Sequence, residues 1–153
     1  MLRSSLIATA VGIMVLGTMS KAEEPLYHWD PLIAISKEAE SLVTTFDETK
    51  ERLQAADVTA AERAALIQTL EDTALRMKSL NQLLEETLQD SDDAMRELVL
   101  SCPVSIPCED LPRGLNIYSF LKSTTYIDKV ELETRILEHE FLVHARAATL
   151  SQP

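Results

Sequence analysis

The chain has 153 residues, of which 25 are Asp or Glu and 14 are Lys or Arg, and its formal net charge at pH 7 is −11. This length is sufficient for one domain with its own hydrophobic core. The excess of negative charge argues against binding to nucleic acid, because Lys and Arg side chains supply the affinity for phosphate. It argues equally against binding to an anionic lipid surface.

The first 22 residues have the pattern of a cleavable signal peptide. Arg3 precedes an apolar run over residues 6–16, and Ser20 and Ala22 place small residues at the −3 and −1 positions of a cleavage site. The apolar run is shorter than the roughly 20 residues that a membrane-spanning helix needs. We therefore expect export to a bacterial periplasm or to the outside of the cell, with no membrane span after cleavage. Removal of 22 residues, including Arg3 and Lys21, would change the net charge from −11 to −13.

The composition of the remaining chain predicts an all-α fold. Gly114 is its only glycine, whereas Ala, Leu, Glu, Gln, Arg and Lys are abundant. Those residues are strong helix formers, and a β-rich fold would need more glycines in its turns. We predict an extended arm over residues 23–30, followed by one helical-bundle domain over residues 31–149. The bundle would contain three long helices and one short helix.

The first two long helices are predicted to form an antiparallel hairpin, because only a short break at residues 56–58 separates them. Asp30 is the expected N-cap of the first helix, and Thr59 with Glu62 has the spacing of a capping box for the second. Alternating steps of three and four residues define a seam on each helix. The first seam is Leu32, Ile35, Ala39, Leu42, Phe46, Thr49 and Leu53, and the second is Leu66, Leu70, Thr73, Met77, Leu80, Leu84 and Thr87.

A short helix is predicted to begin at the acidic run of residues 90–93 and to end at Cys102, before a connecting loop that extends to Gly114. Cys102 and Cys108 are the only cysteines. In an exported protein they are expected to form a structural disulfide that closes this loop. The C-x-x-C spacing of thiol oxidoreductases is absent.

The last helix, from about Leu115 to Ala148, has two apolar stripes. One is Phe120, Ile127, Val130, Thr134, Leu137, Phe141, His144 and Ala148, and the other is Leu132, Ile136, His139 and Val143. Such a helix either lies centrally in its own bundle or faces a partner. We predict partner binding by the second stripe together with Tyr27 and Trp29, two aromatic residues of the arm. Docking of these aromatics onto the bundle is the alternative.

Two histidines near the end of the chain raise the question of a metal site. His139 and His144 are five residues apart, which places them about 140° apart around a helix, unlike the H-E-x-x-H pair of zinc proteases. Glu140 and His144 could supply two ligands, but the paired Glu-x-x-His motifs of di-iron bundles are missing. We predict no metal, no cofactor and no catalytic residue.

These features predict a non-enzymatic protein that acts by protein–protein interaction, as an adaptor, a chaperone or a component of secretion or envelope assembly. Its partner would be another envelope or exported protein, or a second copy of itself. A carrier that holds a small apolar ligand in the bundle core is an alternative. A metal-dependent enzyme that uses Glu140 and His144 is a weaker one.

Overall fold

The computed structural model describes residues 29–105 and 111–150, and these residues form three helices. They are α1 (Asp30–Gln54), α2 (Ala60–Ser105) and α3 (Leu111–Leu150). No strand occurs within these two ranges, so the predicted all-α bundle is confirmed for them. The predicted signal peptide, Tyr27 and the rest of the arm up to residue 28 lie outside the described residues.

The first helix begins one residue earlier than predicted. Trp29 occupies the N-cap position, and its carbonyl accepts a hydrogen bond of 3.0 Å from the Ile33 N–H. Asp30 is therefore not the cap but lies in the first turn, where its negative charge is favourable beside the free N–H groups. Trp29 has φ −97° and ψ −18°. Of the residues assigned to the arm, Trp29 thus has helical backbone angles and Asp30 is the first residue of α1.

The predicted hairpin of α1 and α2 is present, and half of the predicted capping box holds it in place. The Glu62 N–H donates a hydrogen bond of 3.2 Å to Thr59 Oγ1. The Glu62 carboxylate does not complete the box, because it accepts a hydrogen bond of 2.8 Å from Arg52 Nε on α1. Arg52 also pairs with Asp57 in the turn at 2.9 Å. One guanidinium thus joins the end of α1, the turn and the start of α2.

Both predicted seams of the hairpin form the core. The buried residues of the first seam are Leu32, Ile35, Ala39, Leu42, Phe46 and Thr49, and those of the second are Leu70, Thr73, Met77, Leu80 and Leu84. Leu53 is partly buried and packs against this cluster. Leu66 and Thr87 of the second seam are only partly buried, and Ala74 outside it is buried. The periodicity of α1 and α2 therefore predicts most of their inward faces.

The fourth, short helix is not present, because α2 continues without interruption for 46 residues. Its seam keeps the three–four spacing across the acidic run, with Leu84, Leu88, Ser91 and Met95 all buried. Asp92 binds Lys122 and Tyr118 of α3 instead of capping a new helix. Since α2 ends at Ser105 and α3 begins at Leu111, both ends of the predicted loop from Cys102 to Gly114 are helical, and residues 106–110 lie outside the described residues.

The polar contacts between helices establish the topology of the bundle. Ser36 meets Thr125, and Lys50 meets Glu138, so α1 and α3 run in the same direction. Pairing of Lys78 with Glu140 and of Asp92 with Lys122 shows that α2 runs opposite to α3. At 1.5 Å per residue, α1 is about 38 Å long, α2 about 69 Å and α3 about 60 Å. In the described ranges, α2 and α3 therefore continue as a pair beyond the start of α1.

The structure also bears on membrane insertion. None of α1, α2 and α3, taken over the described residues, has a stretch long and apolar enough to cross a bilayer.

The composition of the core predicts that two phenylalanines differ greatly in their contribution to stability. Phe46 is fully buried, whereas Phe141 is 72% exposed. Phe46→Ala should lower the free energy of unfolding by about 3–5 kcal/mol, since it removes a buried ring and leaves a cavity. Urea unfolding followed by circular dichroism measures this change. Phe141→Ala is the matched control and should shift stability by about 0.5 kcal/mol or less; equal losses in the two variants would show that the assigned core is wrong.

Candidate functional site

The most prominent surface feature is a line of large apolar side chains along α3, here called the outer stripe. It consists of Phe120, Ile127, Val130, Leu137 and Phe141, which are 71%, 61%, 59%, 66% and 72% exposed. These residues recur at steps of seven, three, seven and four, and exposed Thr134 fills the middle step. The spacing is that of a coiled-coil seam. Apolar side chains that lie contiguously on a surface are typical of interaction sites.

The residues predicted to bind a partner lie mainly on the opposite side of α3. Leu132 is fully buried and Ile136 packs against the core. His139 is partly buried, with its ring edge-on to Phe46 at a centroid distance of 6.4 Å. In the folded chain Leu132 is thus part of the core, and Ile136 and His139 pack beside it, so this stripe faces α1 and α2.

The remaining predicted partner-binding residues have different surroundings. Val143, the last member of that stripe, is 42% exposed, since it lies near the end of α1. Trp29 is partly buried at the N-cap of α1, and Tyr27 lies outside the described residues. Burial lowers the pKa of His139 below its ordinary value, so this imidazole is neutral at neutral pH, as a histidine beside a hydrophobic core should be.

The inward side of α3 is unusually polar. Tyr118 and Thr125 are both buried. The Thr125 hydroxyl donates to the Leu121 carbonyl at 2.9 Å and lies 3.2 Å from the Ser36 hydroxyl. The Asp128 Oδ2 atom is buried and has no hydrogen-bond partner within the described ranges. The side of α3 that faces the bundle thus contains hydrogen-bonding groups, while several of its largest apolar groups face outward.

Ion pairs with α1 fix the rotation of α3 about its axis. Arg135 donates two hydrogen bonds of 2.8 Å to the two carboxylate oxygens of Asp47, and Lys50 pairs with Glu138 at 2.9 Å. The hydrogen bond from Arg135 holds the pKa of the Asp47 carboxyl below its ordinary value. A bidentate pair has a strict geometry. It therefore holds one edge of α3 against α1.

A second set of contacts holds the opposite edge of α3 against α2. Lys122 Nζ lies 2.7 Å from Asp92 Oδ1, and the Tyr118 hydroxyl donates to the same oxygen. Burial alone would raise the pKa of the Asp92 carboxyl, but the hydrogen bonds from Lys122 and Tyr118 outweigh it, so this pKa lies below its ordinary value. Lys129 pairs with Glu85 and Glu133, each at 2.8 Å. With both edges held, the outer stripe points to solvent.

The residues considered for a metal site are engaged differently. Glu140 accepts a hydrogen bond of 2.7 Å from Lys78, which lowers the pKa of that carboxyl, and His144 is exposed. Over the ranges that the structure describes, no group of three or more His, Cys, Asp or Glu side chains is placed to hold one ion. Cys102 is buried near the end of α2, while Cys108 lies outside the described residues.

Comparison of the chain with protein-family models, with curated proteins and with solved structures finds no match. Its geometry defines a three-helix bundle with an apolar outer stripe on the last helix.

The ion pair between α1 and α3 predicts a pH-dependent contribution to stability. Because the pKa of Asp47 is lower in the folded chain than the ordinary value of 3.8, the pair stabilises above that value and loses its effect as the pH falls through the folded pKa. Asp47→Asn should cost about 1 kcal/mol or less at pH 7, since the pair is partly exposed to solvent, and progressively less as the pH is lowered below 3.8. Urea unfolding at several pH values measures the difference from the unmodified protein.

The control for this experiment is Asp90→Asn, an exposed position on α2, which should have a small effect that changes little with pH. A difference between Asp47→Asn and the unmodified protein that stayed constant from pH 7 to pH 2 would rule out the assigned role of this ion pair.

Proposed function

We propose that this is an exported, non-enzymatic interaction protein that holds another envelope or exported protein against the outer stripe of α3. It would act as an adaptor, a chaperone or a component of envelope assembly. The observation that carries the proposal is the exposure of the outer stripe on a helix whose other side is fixed by the core and by ion pairs. A partner is what would remove this stripe from water.

Energetics support this interpretation of the outer stripe. Moving one large apolar side chain from water into a protein interior contributes about 1.5–3 kcal/mol. The outer stripe has five such side chains, all more than half exposed. Covering them would therefore contribute a large part of that free energy to binding. Phe is also among the residues enriched at the centre of protein interfaces. Both arguments favour a surface that is covered when the protein works.

Export is supported by the sequence at two places. Residues 1–22 have the charge, length and terminal small residues of a signal peptide. Cys102 lies six positions before Cys108, and a short disulfide loop between two helices is typical of small exported proteins. The described part of the chain has no free cysteine. We therefore propose a periplasmic or secreted location, with a disulfide between Cys102 and Cys108.

The alternative of a ligand carrier has less support. Between the helices, the described interior is occupied by fully buried side chains, among them Leu32, Phe46, Met77, Leu84 and Leu132. A small apolar molecule would have to displace them, and close-packed cores resist such insertion. The outer stripe is linear and open rather than concave, which suits a protein surface better than a small ligand.

Site-specific crosslinking in the native envelope tests the proposed interface. A photoreactive amino acid at position 137 should capture a defined partner, because Leu137 lies in the middle of the outer stripe. The same group at position 75 is the control, since Leu75 is 63% exposed but lies on α2. Identification of the crosslinked bands by mass spectrometry is the measurement.

A substitution in the stripe completes the test. Ile127→Glu should reduce the yield of the crosslinked partner about tenfold or more by placing a charge in the interface, while Leu83→Glu, at an exposed position on α2, should leave it unchanged. Capture that is equal from positions 137 and 75, or that persists in Ile127→Glu, would contradict the proposal.

Export and the disulfide predict the mass of the natural protein. The chain isolated from its host should begin at Glu23 and, without reduction, should take up no alkylating reagent. After reduction it should take up two equivalents, one at each cysteine, as measured by intact-mass spectrometry. A chain that retained residues 1–22, or that reacted before reduction, would contradict these two expectations separately.

A further inference from the structure

The outer stripe resembles one half of a coiled coil in its spacing. Ile127, Val130, Thr134 and Leu137 occupy the a and d positions of two consecutive heptads, and Phe120 and Phe141 occupy the a positions of the heptads before and after them. From Phe120 to Phe141 the stripe is about 32 Å long at 1.5 Å per residue. A surface of this shape is complementary to another helix with the same apolar spacing, because each side chain would fit between side chains of the facing helix.

Acidic residues flank this stripe on both sides. Glu131 and Glu138 occupy the e positions next to it on one side, and Glu133 and Glu140 occupy the g positions on the other. No Lys or Arg lies at an e or g position between Phe120 and the end of the stripe. The basic residues of this part of α3 lie deeper, toward the other helices, where Lys129 and Arg135 bind Glu85 and Asp47.

The flanking carboxylates can each interact with a further cation. Lys50, Lys78 and Lys129 approach the Oε1 atoms of Glu138, Glu140 and Glu133 respectively. Within the described ranges the Oε2 atoms of these residues accept no hydrogen bond, and the three side chains are 35%, 45% and 44% exposed. Glu131 makes no ion pair in the same ranges and is exposed. Each flank therefore presents negative charge along the edge of the apolar stripe.

We propose that the outer stripe binds a basic amphipathic helix of the partner protein. That helix has apolar residues at heptad spacing over about three heptads, with Lys or Arg at the positions that flank them. This inference rests on the proposed function and specifies the chemistry of the partner. Charge complementarity carries it, since four carboxylates border an apolar surface of helical spacing.

The same charges disfavour a second copy of this chain as the occupant. Two outer stripes packed together, in either direction, would bring glutamates of one copy beside glutamates of the other. Each copy also has a net charge of −11, which adds a general repulsion. Acidic flanks disfavour an anionic membrane surface for the same reason.

Two designed peptides test the inference directly. Both have three heptads with Leu at a and d and Gln or Ala at b, c and f, and they differ only at e and g, which are Lys in one peptide and Glu in the other. Like charges keep each peptide from pairing with itself. Fluorescence anisotropy with the purified protein should show binding about tenfold or more tighter for the Lys peptide, since several exposed charge pairs each add modestly. Added salt should weaken that binding.

Single substitutions locate the binding and separate charge from apolar contact. Glu131→Lys should weaken binding of the Lys peptide several-fold. Glu48→Lys, the same charge change at an exposed position on α1, should leave that binding unchanged. Ile127→Glu should abolish binding, with circular dichroism to verify that the variant is folded. Leu137→Glu provides a second test at the stripe if the first variant unfolds.

Each remaining outcome counts against the inference. Equal binding of the two peptides, no binding of either, or binding that survives both stripe variants would overturn it. So would a dimer in analytical ultracentrifugation that the stripe variants dissociate, because a second copy would then be the occupant. Loss of crosslinked partner in Ile127→Glu, combined with any of these results, would leave the proposed function intact and reject only the basic helix.

Discussion

The rotation of α3 about its own axis determines what this protein presents to its surroundings. The helix has an apolar stripe on each of two opposite sides, and the buried stripe is not the one with the larger apolar side chains. The buried side is the one whose edges make polar contacts with the other helices: the bidentate pair of Arg135 with Asp47, and the approach of Tyr118 and Lys122 to Asp92. Once these contacts are formed, Leu132 is in the core and Phe141 is in water. The exposed stripe therefore lies opposite a side of α3 whose two edges are joined to α1 and α2 by ion pairs.

The sequence predicts α1 and α2 well because each has a single apolar stripe in its paired segment. A helix with one such stripe has only one way to face a core, so periodicity alone assigns Phe46 and Met77 to the interior. The division of α2 was wrong for a different reason. Acidic residues at positions 90–93 resemble an N-cap, but capping residues are also tolerated inside a helix when the seam continues and no glycine interrupts the chain. The unbroken spacing from Leu84 to Met95 is the signal that favours one continuous helix.

For α3, the sequence predicts a two-sided helix but not which side faces outward. Hydrophobicity favours the stripe that includes Phe120 as the inner one, whereas the structure buries the side with Thr125 and His139. The signal that could have decided the question is the position of cations. Lys122 and Lys129 lie along one edge of the buried side and Arg135 along the other, where they pair with acidic residues of α2 and α1. Charge complementarity between distant helices is a tertiary property, so the periodicity within one helix does not reveal it.

The separation in sequence between contacting residues differs from one pair of helices to another, and this has a consequence for folding. Contacts of α2 with both of its neighbours in sequence are fairly local, since Arg52 of α1 meets Glu62 across 10 residues and Tyr118 of α3 meets Asp92 across 26. Contacts between α1 and α3 are not, since Ser36 meets Thr125 across 89 residues. Local contacts cost less chain entropy to form, and they generally form early. We expect α2 to pair with α1 and with α3 before α1 and α3 meet. The contact of Arg135 with Asp47, which spans 88 residues, would then be among the last to form.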